Sequence, residues 1–305
     1  MEQIIDISGD GRHLSRERGF MLVSEDGREV GRVPLDQILA VIVHAHGVTY
    51  SNNLFVALAE QGSLMVFCGV NHAPRAILWP LEGHFAQGAR MRSQWGARQP
   101  LIKQLWKRVV VAKITMQAAA LDAFSEPSEP VRRLTREVRS GDESNVEAQA
   151  ARRYWPLMMG KDFHRDQSAG STNALLNYGY TVLRATTARA IVAAGLHPTI
   201  GLFHANRGNA FALADDLMEP FRPLVDCAVR GMVAEGVTEV TPDAKRALAR
   251  LIALDLNLGD TRSPLTTVIG RLVLSLARSF EAGKAELELP TPPTAMELVR
   301  LGALE

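Results

Sequence analysis

Cysteine is scarce in this 305-residue chain. The two present, Cys68 and Cys227, lie far apart with no metal-type spacing, which excludes a disulfide-framed fold and a cysteine-ligated zinc module. Both sit among apolar residues, so buried, reduced thiols are expected, as in a reducing compartment. No uninterrupted apolar run approaches the length of a membrane span. The opening MEQIIDISGD lacks the basic-then-apolar pattern of a signal peptide, so a cytoplasmic protein without a membrane partner is expected. Net charge is also nearly absent, at +1, so overall charge argues neither for nor against a nucleic-acid partner, and its distribution has to be read instead. Fixed-period repeats and low-complexity tracts are missing. With hydrophobic residues at 47% and charged residues at 22%, the composition is that of a folded globular protein.

Two textures divide the chain. In the first, short apolar runs at Ile4–Ile7, Phe20–Val23, Ile38–Val43 and Leu64–Phe67 are separated by turn residues, with Asp26-Gly27 as a tight-turn signal. One polar-capped stretch, Ser51–Glu60, predicts a short helix. The segment His72–Gly88, with two prolines and two glycines, reads as a connection and places a boundary near residue 85. Beyond it, apolar residues at helical spacing predict helices over Leu101–Phe124, Asn145–Met159, Thr172–Ala194, Leu213–Ala234, Pro242–Leu256 and Ser263–Ala282. Pro220 and Pro223 should kink the fourth of these. Ala295–Leu301, after Pro290, Pro292 and Pro293, either packs on the domain or hangs free. The expected fold class is α+β, with a β-rich N-terminal domain (1–85) followed by an α-helical domain (86–305).

Acidic residues are missing between Glu82 and Asp122, while Arg90, Arg92, Arg98, Lys103, Lys107, Arg108 and Lys113 supply seven positive charges. Such a stripe suits a phosphate backbone, which Lys and Arg grip with release of counterions. A solvated helix face whose acids lie elsewhere in space accounts for it equally well.

The stretch Gly201–Asp226, GLFHANRGNAFALADDLMEPFRPLVD, carries the candidate chemistry. It places His204 on a loop, then Asp216 and Glu219 three residues apart on a helical pattern, hence on one face. Two carboxylates and an imidazole suit a divalent metal, although acids on an amphipathic helix are more often a solvated face. A third acid, Glu147, begins the helical segment NVEAQAARRYW, with Tyr154 two turns along. By itself it reads as an exposed acid favoured by the helix dipole.

Four segments in order resemble a known family: VPLDQILAVIVHAHGVTYSNNLFVALAEQGSLMVFCG (33–69), the Glu147-to-Tyr154 helix, NALLNYGYTVL (173–183), and GLFH with DLMEPFRPLVD. Together they resemble the CRISPR-associated integrase family usually called Cas-one, and their wording is most similar to members from type II systems. The resemblance implies a β-sheet N-terminal domain, an all-α catalytic domain and a homodimer. It implies metal ligands at Glu147, His204 and Glu219, with Asp216 as an additional acid close to the site, and leaves open which of Asp216 and Glu219 makes the closer contact; two carboxylates with an imidazole suit Mg²⁺ or Mn²⁺ as the ion. The implied reaction joins the 3′-hydroxyls of a short DNA duplex, the prespacer, to the CRISPR repeat by transesterification. The same site would cleave DNA when water replaces the hydroxyl. The implied partners are double-stranded DNA, the small protein Cas-two and the type II effector nuclease. Arg90, Arg92, Tyr154, His164 and Arg165 are the candidate DNA contacts; Tyr154 reads equally as core, and Asn173 and Asn177, which could orient ligands or pair with backbone, read first as core structure. His13, His44, His46, His72, His84 and His197 read as structural or surface residues. The competing readings are a non-catalytic DNA-binding dimer and a metal hydrolase of small substrates.

Overall fold

The structure is a computed structural model describing residues 2–69, 74–166, 169–204 and 209–302. His72 lies outside the described residues. The chain divides into two compact units, one formed by the chain up to Gln87 with Val192–Gly195, the other by Gly88–Ile191 with the chain from Leu196 onward.

The first unit holds two four-stranded sheets. One has the order β1 (Gln3–Ile7), β5 (Ile38–Val43), β7 (Leu64–Cys68), β8 (Pro74–Leu78), parallel except for the β7–β8 pair. Every residue of β5 is buried, which is why its sequence, ILAVIV, runs apolar without alternation: a central strand covered on both faces leaves no polar side. The other sheet has the order β4 (Arg28–Pro34), β3 (Phe20–Glu25), β2 (Arg12–Glu17), β6 (Thr49–Tyr50). Asp26 and Gly27, with φ of 50° and 74°, turn β3 into β4, the left-handed pair that a two-residue hairpin turn requires. Helix α1 (Asn52–Glu60) buries Leu54, Ala57 and Leu58 in the core shared with Leu14, Val41 and Met65.

The second unit is built around the long helix α3 (Gln99–Ala123), preceded by α2 (Gln87–Trp95). Around it lie α4 (Glu129–Arg132), α5 (Val146–Met159), α6 (Thr172–Ala193), α7 (Ala212–Met218), α8 (Arg222–Ala234) and α9 (Pro242–Arg250). The single helix expected over Leu213–Ala234 is broken. A 3₁₀ turn, Glu219–Phe221, separates α7 from α8, with Pro220 and Pro223 each seated in a first turn, where a missing N–H costs least. The stretch expected to continue α9 instead turns into a hairpin, β9 (Asp255–Leu258) with β10 (Thr261–Pro264), before α10 (Leu265–Ala282). The Asp255–Leu258 residues alternate exposed and buried, a period of two inside a region of helical spacing. The terminal segment packs: α11 (Ala295–Arg300), started by a Thr294/Glu297 capping box, lies against α3 and α8. Gly302 meets Gly231 there so closely that a Cβ on Gly302 would stand 2.5 Å from the Gly231 Cα. Cys68 and Cys227 are both buried. Among the described residues no helix is long and apolar enough to cross a membrane. The architecture is α+β, a β-sheet unit followed by a mostly helical one.

Candidate active site

Glu147 stands in the first turn of α5, and the chain fixes it there by a local device. Asp142 accepts the otherwise unpaired N–H groups of Val146 (2.8 Å) and Glu147 (3.0 Å), and the turn before the helix passes through left-handed Gly141, Asp142 and Asn145. Glu219 stands at the break between α7 and α8 and is buried. The two acids come from separate helices and meet on one cation. Lys113 of α3 sends its ammonium between them, bonded to Glu147 Oε1 and 2.5 Å from Glu219 Oε2, while Arg222 Nε donates to Glu219 Oε1 at 2.8 Å. Burial works against the charge on Glu219, but Arg222 and Lys113 outweigh it and hold the carboxyl well below its usual range. The same pairing raises Lys113 against its own desolvation.

His204 is placed by Asp216. This fully buried carboxylate accepts the backbone N–H groups of Leu202 (2.5 Å), Phe203 (3.0 Å) and His204 (3.3 Å), and lies 2.5 Å from His204 Nδ1. The side-chain hydrogen bond that His204 donates to Asp216 raises the His204 pKa over the opposing effect of burial. With Nδ1 committed to Asp216, a neutral ring carries its lone pair on Nε2, the arrangement by which a carboxylate orients a ligating histidine. Two further contacts hold the approach to His204. Gln94, buried on α2, bonds the carbonyls of His197 (3.0 Å) and Ile200 (2.9 Å) and accepts the His197 N–H (2.8 Å). Trp106 stacks on Phe203 with ring centres 4.6 Å apart and meets His204 edge-on at 6.0 Å. A Cβ at Gly201 would come within 2.7 Å of the His204 carbonyl oxygen and 2.8 Å of Asp216 Oδ2, so the loop closes only over glycine.

Asp216 and Glu219 therefore do not share a task. Asp216 spends its oxygens on the loop and on His204, whereas Glu219 faces Glu147 through Lys113. Among the described residues no group of three histidine, cysteine, aspartate or glutamate side chains is gathered closely enough to hold a metal. His204 and Glu219 are still near enough that each shifts the other's ionisation. The chemistry of these residues fits a divalent ion: two carboxylates already converge on one cation, and the imidazole is oriented by a carboxylate.

Behind the site runs a buried polar chain. Tyr154 and Tyr180 both donate to Asp226, at 2.9 and 2.5 Å, and the Arg222 guanidinium lies 4.5 Å from the Tyr180 ring centre. Burial pushes the Asp226 carboxyl up to about 6 even though the two tyrosines and Arg222 favour its ionised form. Tyr154, a candidate DNA contact in the sequence, is corrected here: it is fully buried, with its hydroxyl spent on Asp226, so no phosphate can reach it. Arg90 is tucked against Glu281 with 14% of its side chain exposed, while Arg92 is exposed beside Arg98 in a shallow cleft at the start of α3. His164 is exposed. Arg165 is half-buried, bonding Asn173 (2.9 Å) and Asn177 (2.6 Å) and lying 5.3 Å from the Tyr180 ring centre, so those asparagines hold an arginine rather than fill core.

The residue that sequence reasoning missed is Lys113, counted there as one more cation of a DNA-binding stripe. Its signal was available: Trp106, Val109, Val110, Lys113, Gln117, Ala120 and Leu121 follow one buried helical stripe, and a charge on such a stripe requires a partner.

An α+β protein whose helical unit holds two acids on one lysine, with a carboxylate-oriented histidine nearby, carries a candidate active site. The sequence model of the family described as CRISPR associated protein Cas1 matches residues 5–247, and the chain is 34% identical over 278 residues to the CRISPR-associated endonuclease Cas1 of Neisseria meningitidis, covering 90% of each. This chain belongs to the Cas1 family. Solved structures share its fold at lower identity. A casposase bound to integration product has a TM-score of 0.79 at 20% identity, covering 94% of this chain and 93% of that one. A CAS1 protein from Thermotoga maritima has a TM-score of 0.75 at 13% identity, covering 93% and 99%. In a Cas6-RT-Cas1–Cas2 complex the likeness covers 96% of this chain and 36% of the larger one, with a TM-score of 0.75 at 17% identity.

Proposed function

We propose that this protein is a divalent-metal-dependent DNA integrase and endonuclease of CRISPR spacer acquisition, joining the 3′-hydroxyls of a short duplex to the CRISPR repeat. The observation that carries the reading is the meeting of Glu147 and Glu219, from separate helices, on a single cation, close to a histidine oriented by Asp216, in a chain of the Cas1 family. Glu147, Glu219 and His204 would hold Mg²⁺ or Mn²⁺. Such an ion supplies Lewis-acid stabilisation of the phosphoryl charge that develops during displacement and lowers the pKa of the attacking hydroxyl or water. The chain's own residues supply placement: Asp142 sets the start of α5, Arg222 steadies Glu219, and Asp216 with Gly201 sets His204. Exposed Arg92, Arg98, Lys107 and Arg108 supply backbone contacts for the duplex. A homodimer working with Cas-two is the proposed assembly, supported by the Cas1–Cas2 complex that shares the fold. A further contact with the type II effector nuclease is proposed from the sequence segments alone.

The test is joining of a short duplex to a repeat-bearing plasmid by the purified protein and Cas-two, with Mn²⁺ or Mg²⁺. Glu147→Ala, His204→Ala and Glu219→Ala should each lower joining by at least about a hundredfold while duplex binding persists. Full joining by all three variants sinks the proposal. Salt-sensitive duplex binding with no joining or cleavage by the wild type would instead make the protein a non-catalytic DNA-holding dimer.

A further inference from the structure

Lys113 is a cation built into the site. Its ammonium bonds Glu147 Oε1 and lies 2.5 Å from Glu219 Oε2, its side chain is 10% exposed, and it rises from a helix stripe that is otherwise apolar save for Gln117. Glu219 has a second means of staying in place, being held on its other oxygen by Arg222, and the backbone that carries Glu147 is set by the Asp142-capped start of α5. The lysine is therefore not what brings the two helix segments, or the Glu219 carboxylate, to the site. What it adds is charge, one positive unit at contact distance from both, where desolvation makes such a charge count for more than at a surface.

We propose that Lys113 is a positioning counter-ion that competes with the divalent metal for Glu147 and Glu219, so that loading the site is an exchange of one cation for another. This rests on the metal-site reading above and deepens it: Lys113 sets how tightly the ion is held. In the metal-free protein it neutralises two carboxylates that would otherwise repel each other at close range. When the ion arrives, the ammonium leaves Glu147 and Glu219 to it. The covalent structure is unchanged, and the exchange is of ionic contacts alone.

The sign of the expected effect separates this role from ordinary ligand support. A residue that merely preorganised the acids would weaken metal binding on removal; a competitor strengthens it. Mn²⁺ alone is titrated into the full-length protein without DNA, followed by electron paramagnetic resonance and by calorimetry. Lys113→Met, which keeps the stem and removes the charge, should bind Mn²⁺ at least about tenfold more tightly than wild type. Its metal-free melting temperature should fall, and saturating Mn²⁺ should recover the loss. Unchanged or weaker Mn²⁺ binding by a folded Lys113→Met overturns the proposal and leaves the metal reading intact. If wild type and Lys113→Met both fail to bind Mn²⁺, the metal reading falls, and the proposal with it. A measurement on the wild type covers the case in which the variant does not fold: amine acylation of Lys113, read by mass spectrometry, should rise several-fold on adding Mn²⁺ as the ammonium is released. With Mn²⁺ bound, an unchanged Lys113 acylation rate also overturns the exchange.

Discussion

Asp226 shows how a single buried acid ties stability to pH. Burial raises its carboxyl to about 6 from an ordinary 3.8, so the folded state binds a proton that the unfolded chain releases across that interval. Its contribution to stability is therefore greatest below about pH 4 and is lost as pH rises through about 6, a change on the order of 3 kcal/mol. Asp226→Asn abolishes the titration, so its stability relative to wild type should improve between pH 4 and pH 7, by urea denaturation at both values; a constant difference would refute the assignment. Tyr154→Phe should cost about 1 kcal/mol, the worth of one hydrogen bond, because Tyr180 still serves the carboxylate. Neither residue was legible as a pair in the sequence. Tyr154 and Asp226 are 72 positions apart and meet only because α5 packs on α8.

At the scale of elements, the loop before α7 is the part most sensitive to a small change. Gly201→Ala would place a methyl group 2.7 Å from the His204 carbonyl and 2.8 Å from Asp216 Oδ2, and the backbone has to move. The expected loss of stability is about 1–3 kcal/mol, measured by denaturation. The displaced imidazole should slow joining by about a hundredfold, a rate effect larger than the stability loss accounts for. Helix breaks matter here as much as helices. The prolines made a break between α7 and α8 foreseeable. Its consequence was not: Glu219 leaves the face it would share with Asp216 on a continuous helix and turns instead to Lys113. The β9–β10 hairpin escaped a helical reading because its four-residue strands are too short to outweigh the helical spacing on either side.

For the whole molecule, the charge stripe between Glu82 and Asp122 resolves into parts with different tasks. Arg90 is drawn to Glu281, Lys103 to Glu143 and Lys113 to the acids of the site, while Arg92, Arg98, Lys107 and Arg108 are exposed. Arg92→Ala and Lys107→Ala should each reduce the slope of log binding constant against log salt for duplex DNA by about one. Tyr154→Phe should leave that slope unchanged. A fluorescence-anisotropy titration at several salt concentrations measures all three, and an unaltered slope in both cationic variants would place the duplex on another surface.

The sequence by itself determined the α+β class, the order of strands before helices, the family, and the short list of acids and imidazoles. These follow from local periodicity, turn chemistry and residue type, which a chain displays one segment at a time. Only the tertiary structure decided which of those groups meet. It put Glu219 opposite Glu147, made Asp216 the partner of His204, buried Tyr154 on Asp226, and set Lys113 between two carboxylates. The physical reason is that a buried charge takes its meaning from its neighbours in space. Those neighbours come from helices that are remote in sequence, so neither their distance nor their burial is written in any single stretch of the chain.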